Sequence, residues 1–442
     1  MIGFLVCLVA LLSGFFLGRR SIVHGLLAVL TAGYLYGVLR ANLPGAFAHF
    51  TFDAALIGFY AARLSIRRTV PDNPEYQKLR MWLIVLCGWP IILFLIPLQD
   101  PLIQAVGFRA AILFLPLIAI GARLRVGQIY RLALGIAVLN IVVTGIGLFE
   151  FYGGVEKLYP PGPVTDIIYR SNDVGPAGNL RIPATFTSAH GYAGTMVMSL
   201  PLLWNGFLLA RRRSYRFLFI GAVVASVFGV LMAATRFHFI VLVISALYLF
   251  FISRGGGRQR LILLAATALV VVVVVQQQRL RRFESLADYG FVTERLGWSV
   301  NTTFIDLLVR YPLGNGLGSG GTSIPFFLES RVAPGTFTYV ENEYARILVE
   351  QGILGLSIWL AFLIWLFTRR NIHSRDRCAA SRKWGRFISL IYFLASPIGI
   401  GLLISVPQTA LLFLIMGWFA VPERSAVARR RQLARQPAPV AA

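Results

Sequence analysis

The sequence predicts an all-α fold, a polytopic membrane helical bundle of about 12–14 transmembrane helices with two large outer loops containing short helices. Three observations carry this prediction. Hydrophobic residues make up 57% of the 442 positions and charged residues 14%, a balance foreign to a soluble domain of this length. Predominantly apolar runs near the ~20 residues needed to cross hydrocarbon recur along the whole chain. The net charge of +24 comes from arginines and lysines clustered in short runs between those stretches. That is the pattern of cytoplasmic loops, so no nucleic-acid partner is expected.

The chain opens with the apolar run Ile2 to Leu17, closed by Arg19 and Arg20. It lacks a basic leader and a small-residue cleavage site, which predicts a retained helix with its N-terminus outside. Ile22 to Leu39 crosses next, turns at Asn42-Leu43-Pro44, and Phe47 to Ala62 leads to the basic inner loop Arg63 to Arg80. Met81 to Leu98 crosses outward to a turn at Asp100-Pro101. Leu102 to Ala122 returns, carrying Arg109 about two turns below its outer end. After the inner loop Arg123 to Arg131, Leu132 to Phe149 completes the N-terminal transmembrane helices, residues 1–149.

The first large loop, residues 150–190, holds Pro160, Pro161, Gly162 and Pro163, too many breakers for continuous helix. Residues 191–275 carry the central helices: Gly191 to Ala210, Phe217 to Ala234, Phe237 to Ile252 and Leu261 to Val275. Arg211-Arg212-Arg213 and Arg254 to Arg260 lie between them on the inner side. The second large loop spans residues 276–344. The C-terminal helices, residues 345–421, are Ala345 to Phe367, Phe387 to Leu403 and Val406 to Val421, around the basic loop Arg369 to Arg386. A basic cytoplasmic tail, residues 422–442, ends the chain. Alternating the basic runs accommodates roughly thirteen helices and puts both large loops on the outer face.

Chemistry is expected in and around the second loop. Gly316, Gly318 and Gly321 fit a GxGxxG spacing, but no strand precedes them, so this is not a dinucleotide fingerprint. They serve tight folding of the loop against the bundle, or the approach of backbone N–H groups to an anion. Thr235-Arg236 stands at an outer helix junction, where an arginine is an interfacial anchor or a bidentate phosphate clamp. Arg181, Arg295 and Arg109 lie on or near the same face. So many outer arginines run against the charge bias and point to an anionic ligand such as a pyrophosphate.

Glu341-Asn342-Glu343-Tyr344 crowd the mouth of the next helix. Capping explains Asn342 and one acid; a further carboxylate suits a general base for an acceptor hydroxyl, with Glu341 and Glu343 both open for the role. Glu350, deeper in the same helix, must find a partner within the bundle, an arginine before others. His190 begins a helix and reads first as a polar interface residue. The histidines are scattered, and Cys7, Cys87 and Cys378 show no pairing logic, so no metal, cofactor or disulfide framework is expected.

Ordered segments across residues 181 to 356 carry a family resemblance. They are Arg181 to His190; Thr235-Arg236; Arg295 and Trp298 with Tyr311-Pro312-Leu313-Gly314-Asn315-Gly316-Leu317-Gly318; and Glu341-Asn342 through Glu350 to Leu356. Together they resemble the O-antigen ligase and polymerase superfamily: its arginine-led segment, its Ser-Arg junction, its R…W…P-x-G-x-G-x-G segment and its HN…E-x-G-h-h-G-h helix start. The resemblance implies a multi-pass enzyme of the bacterial inner membrane with a periplasmic active face, transferring glycans without metal and with inversion. The implied donor is an undecaprenyl-diphosphate-linked glycan, the acceptor a glycan or lipid, with room for a chain-length regulator beside the bilayer.

By the same resemblance, Arg236 with Arg181 and Arg295 holds the diphosphate, and Glu341 orients or deprotonates the acceptor. His190, Asn342, Glu343, Tyr344, Gly316 and Gly318 then line the substrate. Two positions depart from the pattern: ligases place histidine where this chain has Glu341, and asparagine is common where it has His190. The first departure favours a polymerase of exopolysaccharide or O-antigen over a ligase acting on lipid A-core. The rival from another class is a transporter of lipid-linked glycans or small molecules. It predicts inverted repeats and paired broken helices, neither of which the sequence displays. Membrane glycosyltransferases with a catalytic acid in the first outer loop are a further enzymatic rival, and Arg40 to Gly45 contains no acid.

Overall fold

The computed structural model describes residues 1–43, 45–66, 73–170, 180–252, 304–321, 324–332, 342–369, 378–397 and 402–421, with Gly290, Thr293 and Gly297 as isolated positions. Among the described residues helix is the only regular structure, and eight helical spans, with Pro101–Gly121 taken as one, are long and apolar enough to cross a membrane. The predicted helix Leu261 to Val275, Arg295 and Glu341 lie outside the described residues.

Helix α1 (Ile2–Arg20) packs along α2 (Ile22–Asn42) and α3 (Thr51–Leu64). The α1–α3 contact is backbone on backbone: a Cβ at Gly14 would sit 2.1 Å from the Ala55 carbonyl oxygen, and one at Gly58 would sit 2.1 Å from that of Leu11. Small residues of this kind let membrane helices approach closely. A 3-10 turn over Ala46–Phe50 takes up the residues expected to open α3, leaving a helix of 14 residues. Helix α4 (Pro74–Phe94) begins in the predicted basic loop, because the Asn73 side chain caps Glu75 N–H and Pro74 fits the first helical position.

The single helix expected from Leu102 to Ala122 is two, α5 (Pro101–Ile112) and α6 (Pro116–Gly121). Pro116 has no N–H to donate, and its ring crowds the carbonyl one turn earlier, so the helix gives way at Leu113 to Leu115. Helix α7 (Val126–Gly153) is 28 residues long and absorbs most of the predicted loop Arg123 to Arg131. The first large interruption holds a short helix, α8 (Asp166–Arg170). Helices α9 (Ala189–Leu209), α10 (Arg213–Ala233) and α11 (Arg236–Ile252) follow.

The second interruption contains α12 (Asp306–Arg310) and a 3-10 turn over Phe326–Arg331. Helix α13 (Glu343–Thr368) starts before the expected Ala345, placing Glu343 and Tyr344 on the helix and not in the loop. Helix α14 (Ala379–Ala395) is displaced toward the N-terminus relative to the expected Phe387 to Leu403. Its first turns carry Arg382 and Lys383, which hide an amphipathic helix from a search for apolar runs. Helix α15 (Gln408–Ala420) is apolar throughout its last turns and buried at every position. It lies against α6, α9 and α14. With α9, which buries 78% of its span against 17% for α1, it forms the centre of the bundle.

The ends of the bundle are distinct. At one end Glu75 pairs with Arg369, Arg123 lies 5.9 Å from the Tyr76 ring centroid, and Arg386 donates to the Phe367 carbonyl. At the other, Asn42 Nδ2 donates to Leu158 O (2.8 Å), Gln99 Nε2 to Asn315 O (2.7 Å), and Arg331 pairs with Asp100 at 3.6 Å. Both large interruptions therefore share the end opposite these basic segments, called the outer end below. Broken helices, absent from the sequence reading, do occur: α5–α6 at Leu113 to Leu115 and α13 at Gly352.

Candidate functional site

Helix α13 begins where it does because Asn342 Oδ1 accepts the N–H groups of Tyr344 (2.9 Å) and Ala345 (3.1 Å). It breaks at Gly352, whose φ of 71° and ψ of −175° fall in a region essentially reserved for glycine. The glycine-rich segment 311–321 fills the break. Asn315 N–H donates to Val349 O (2.6 Å), and Ile353 N–H donates to Pro312 O (2.9 Å). Trp89 Nε1 donates to Gln351 O (2.9 Å), so the groups freed by the break are paired again. Gly316 and Gly318 adopt φ of 92° and 88°. A Cβ on Gly318 would stand 2.5 Å from Ile103 O, so this backbone is pressed against the start of α5.

One face of α13 carries a buried ionic triad. Arg346 Nε lies 2.7 Å from Glu343 Oε1, which Nη2 also contacts, and Nη1 lies 2.9 Å from Glu350 Oε2. Glu343 Oε2 accepts the Leu403 N–H at 3.3 Å. Both Glu343 oxygens are thus engaged inside the bundle, and Glu350 has the arginine its depth demands. Arg346 was missed by sequence reasoning, although acids three residues before it and four after it on one helix face are a readable signal.

The stretch leading into α9 is irregular yet buried from Arg181 to Phe186. Non-helical backbone survives in such surroundings only when protein groups satisfy it. Ala184 N–H donates to Glu150 Oε2 (2.8 Å), Gly37 N–H to Thr185 O (3.0 Å), and Tyr159 Oη to Phe186 O (2.7 Å). Burial, reinforced by the Glu150 carboxylate, pushes the Tyr159 hydroxyl well above the ordinary tyrosine range, keeping it a donor. Arg181 is buried at the head of this stretch, and its Nε has no hydrogen-bond partner among the described residues.

Ala234, with a left-handed φ of 48°, ends α10 and lets Arg236 open α11. One turn further in, His238 Nδ1 lies 3.1 Å from Thr235 Oγ1. The His238 ring stands 6.1 Å from that of His190 and 5.8 Å from that of Tyr392. Beside Tyr392, the Phe393 carbonyl accepts the Tyr344 hydroxyl at 2.7 Å. His190, Arg236 and Asn342–Tyr344 therefore meet at the outer end, through residues (His238, Tyr392) that the sequence did not single out. Gly316 and Gly318 stand at the same end beside the α4–α5 turn, and Arg181 precedes α9 there.

Arg109 departs from expectation. Its Nε and Nη2 lie 2.5 and 2.9 Å from the two carboxylate oxygens of Asp53, a bidentate pair that occupies its fork. Among the described residues no cluster of three or more His, Cys, Asp or Glu side chains is arranged to hold a metal ion. No family model matches this chain, and no curated protein matches it.

Proposed function

We propose that the chain is a membrane glycosyltransferase that polymerises undecaprenyl-diphosphate-linked oligosaccharides at the periplasmic face of the bacterial inner membrane. The supporting observation is the gathering at the outer end of residues distant in sequence: the buried Arg181, Arg236 at the head of α11, His190 at the head of α9, and the capped start of α13. Arginines in low-dielectric surroundings suit a diphosphate whose charge grows as the glycosidic bond forms. Arg236 and Arg181 hold that leaving group in this reading. Both Glu343 oxygens are engaged by Arg346 and Leu403, which supports assigning the general base for the acceptor hydroxyl to Glu341. Attack by the acceptor oxygen displaces the lipid diphosphate in one inverting step.

The test uses purified full-length protein with lipid-linked repeat units and EDTA. A ladder of longer lipid-linked glycans is the expected product. Transfer only when lipid A-core is supplied would make the protein a ligase. A transporter is the second reading, favoured by the break at Gly352 beside buried charges, since discontinuous helices form many transport sites. Substrate uptake into proteoliposomes without any new glycosidic bond would establish it and end the transferase assignment.

A further inference from the structure

A second basic cluster stands at the outer end, built by the last turn of α2, the 3-10 turn Ala46–Phe50, α3 and α5. Tyr36 Oη donates to His49 O at 2.6 Å. The His49 ring in turn lies 5.7 and 5.2 Å from Phe326 and Phe327 of the second large interruption. Arg40 and Arg109 both act electrostatically on Tyr36 and His49, and the Arg40 side chain hydrogen-bonds Tyr36. Asp53 is the carboxylate that faces this group, and Arg109 occupies both of its oxygens at 2.5 and 2.9 Å. Of the two guanidiniums, Arg109 is the one paired with that carboxylate. Arg40 is the one left over: its Nε is buried and has no hydrogen-bond partner among the described residues.

A partly buried guanidinium on this side opposes the charge bias of membrane loops, and it is stabilised when an anion meets it. The elements that build the cluster also expose apolar side chains, with Phe47, Ile57 and Leu102 exposed by 54%, 50% and 46%. A molecule with a phosphate for the cation and acyl chains for the apolar flank matches both features. We propose that Arg40, backed by Tyr36 and the Asp53–Arg109 pair, binds the phosphate of a lipid head group at the outer end of α2, α3 and α5. The site uses none of the residues assigned to glycosyl transfer and does not depend on that reading.

Delipidated full-length protein is titrated with short-chain phosphatidic acid, the matching diacylglycerol and inorganic phosphate, reading intrinsic fluorescence. Phosphatidic acid should bind, diacylglycerol should bind far more weakly, and Arg40→Gln should weaken phosphatidic acid by about tenfold or more. Arg40→Lys keeps the charge without the fork, so a loss of about threefold is expected there, and it decides the matter where Arg40→Gln does not fold. Equal affinity of wild type and the folded Arg40 variants overturns the site. Inorganic phosphate binding as tightly as phosphatidic acid overturns the lipid as its occupant.

Discussion

Arg346 shows how a single residue sets the electrostatics of this molecule. It is buried with two carboxylates, and removing it leaves both without a counter-charge in a low-dielectric interior. Arg346→Met should therefore cost about 3–5 kcal/mol in equilibrium unfolding in detergent. Replacing Glu343 and Glu350 by Gln in the same chain should recover much of that loss, because the unpaired charges disappear. The catalytic assignment makes its own residue-scale predictions. Glu341→Ala should abolish polymer formation while folded protein remains in the membrane. A base works only when deprotonated, so the rate should fall as pH drops through its pKa. Imidazole titrates above a carboxylate, so Glu341→His should move that limb to higher pH. An acidic limb that stays where it is when Glu341 becomes His would remove Glu341 from the role. Arg236→Lys keeps the charge but loses the fork, and a large fall in rate is expected in the same assay.

At the scale of elements, the break in α13 is the feature on which the site's shape depends. Gly352 holds φ 71°, and a Cβ there would come within 2.5 Å of the Leu313 carbonyl carbon. Gly352→Ala should destabilise the fold by about 1–3 kcal/mol from backbone strain, with the clash adding to it, as measured by thermal unfolding. The companion Gly88→Ala, where a Cβ meets nothing within 4 Å, should be neutral or slightly stabilising. Most elements were legible as apolar runs, and α2, α9 and α10 lie close to their expected positions. The misplacements share a cause. Helices α4, α7 and α14 begin among arginines and lysines, where hydropathy says loop but capping and packing say helix. Pro116 was visible, yet Pro90 and Pro201 sit inside continuous helices, so proline alone does not announce a break. The Gly352 break is equally silent, since its stability comes from a loop far away in sequence.

For the whole molecule, the decisive property is sidedness. Leu313, 85% exposed, and Glu156 belong to the two outer interruptions, whereas Arg212 lies in a basic run between α9 and α10. In cells, Leu313→Cys and Glu156→Cys should react with a membrane-impermeant maleimide from one side, and Arg212→Cys only after permeabilisation. Labelling of Arg212→Cys from outside, with the other two reacting only after permeabilisation, would reverse the placement of the site. The sequence by itself determined the membrane class, the alternation of basic and apolar segments, the helix cap at Asn342 and the need of Glu350 for an arginine. Each follows from local chemistry: the cost of charge in hydrocarbon and the geometry of a helix end. Tertiary structure alone decided that Arg109 belongs to Asp53, that the second Glu343 oxygen accepts the Leu403 amide, and that His190, Arg236 and Tyr344 share one end through His238 and Tyr392. Those outcomes depend on which helices become neighbours. Packing sets that choice, and outside α14 the spanning helices offer apolar surfaces whose hydropathy is nearly the same all round, so no local pattern encodes it.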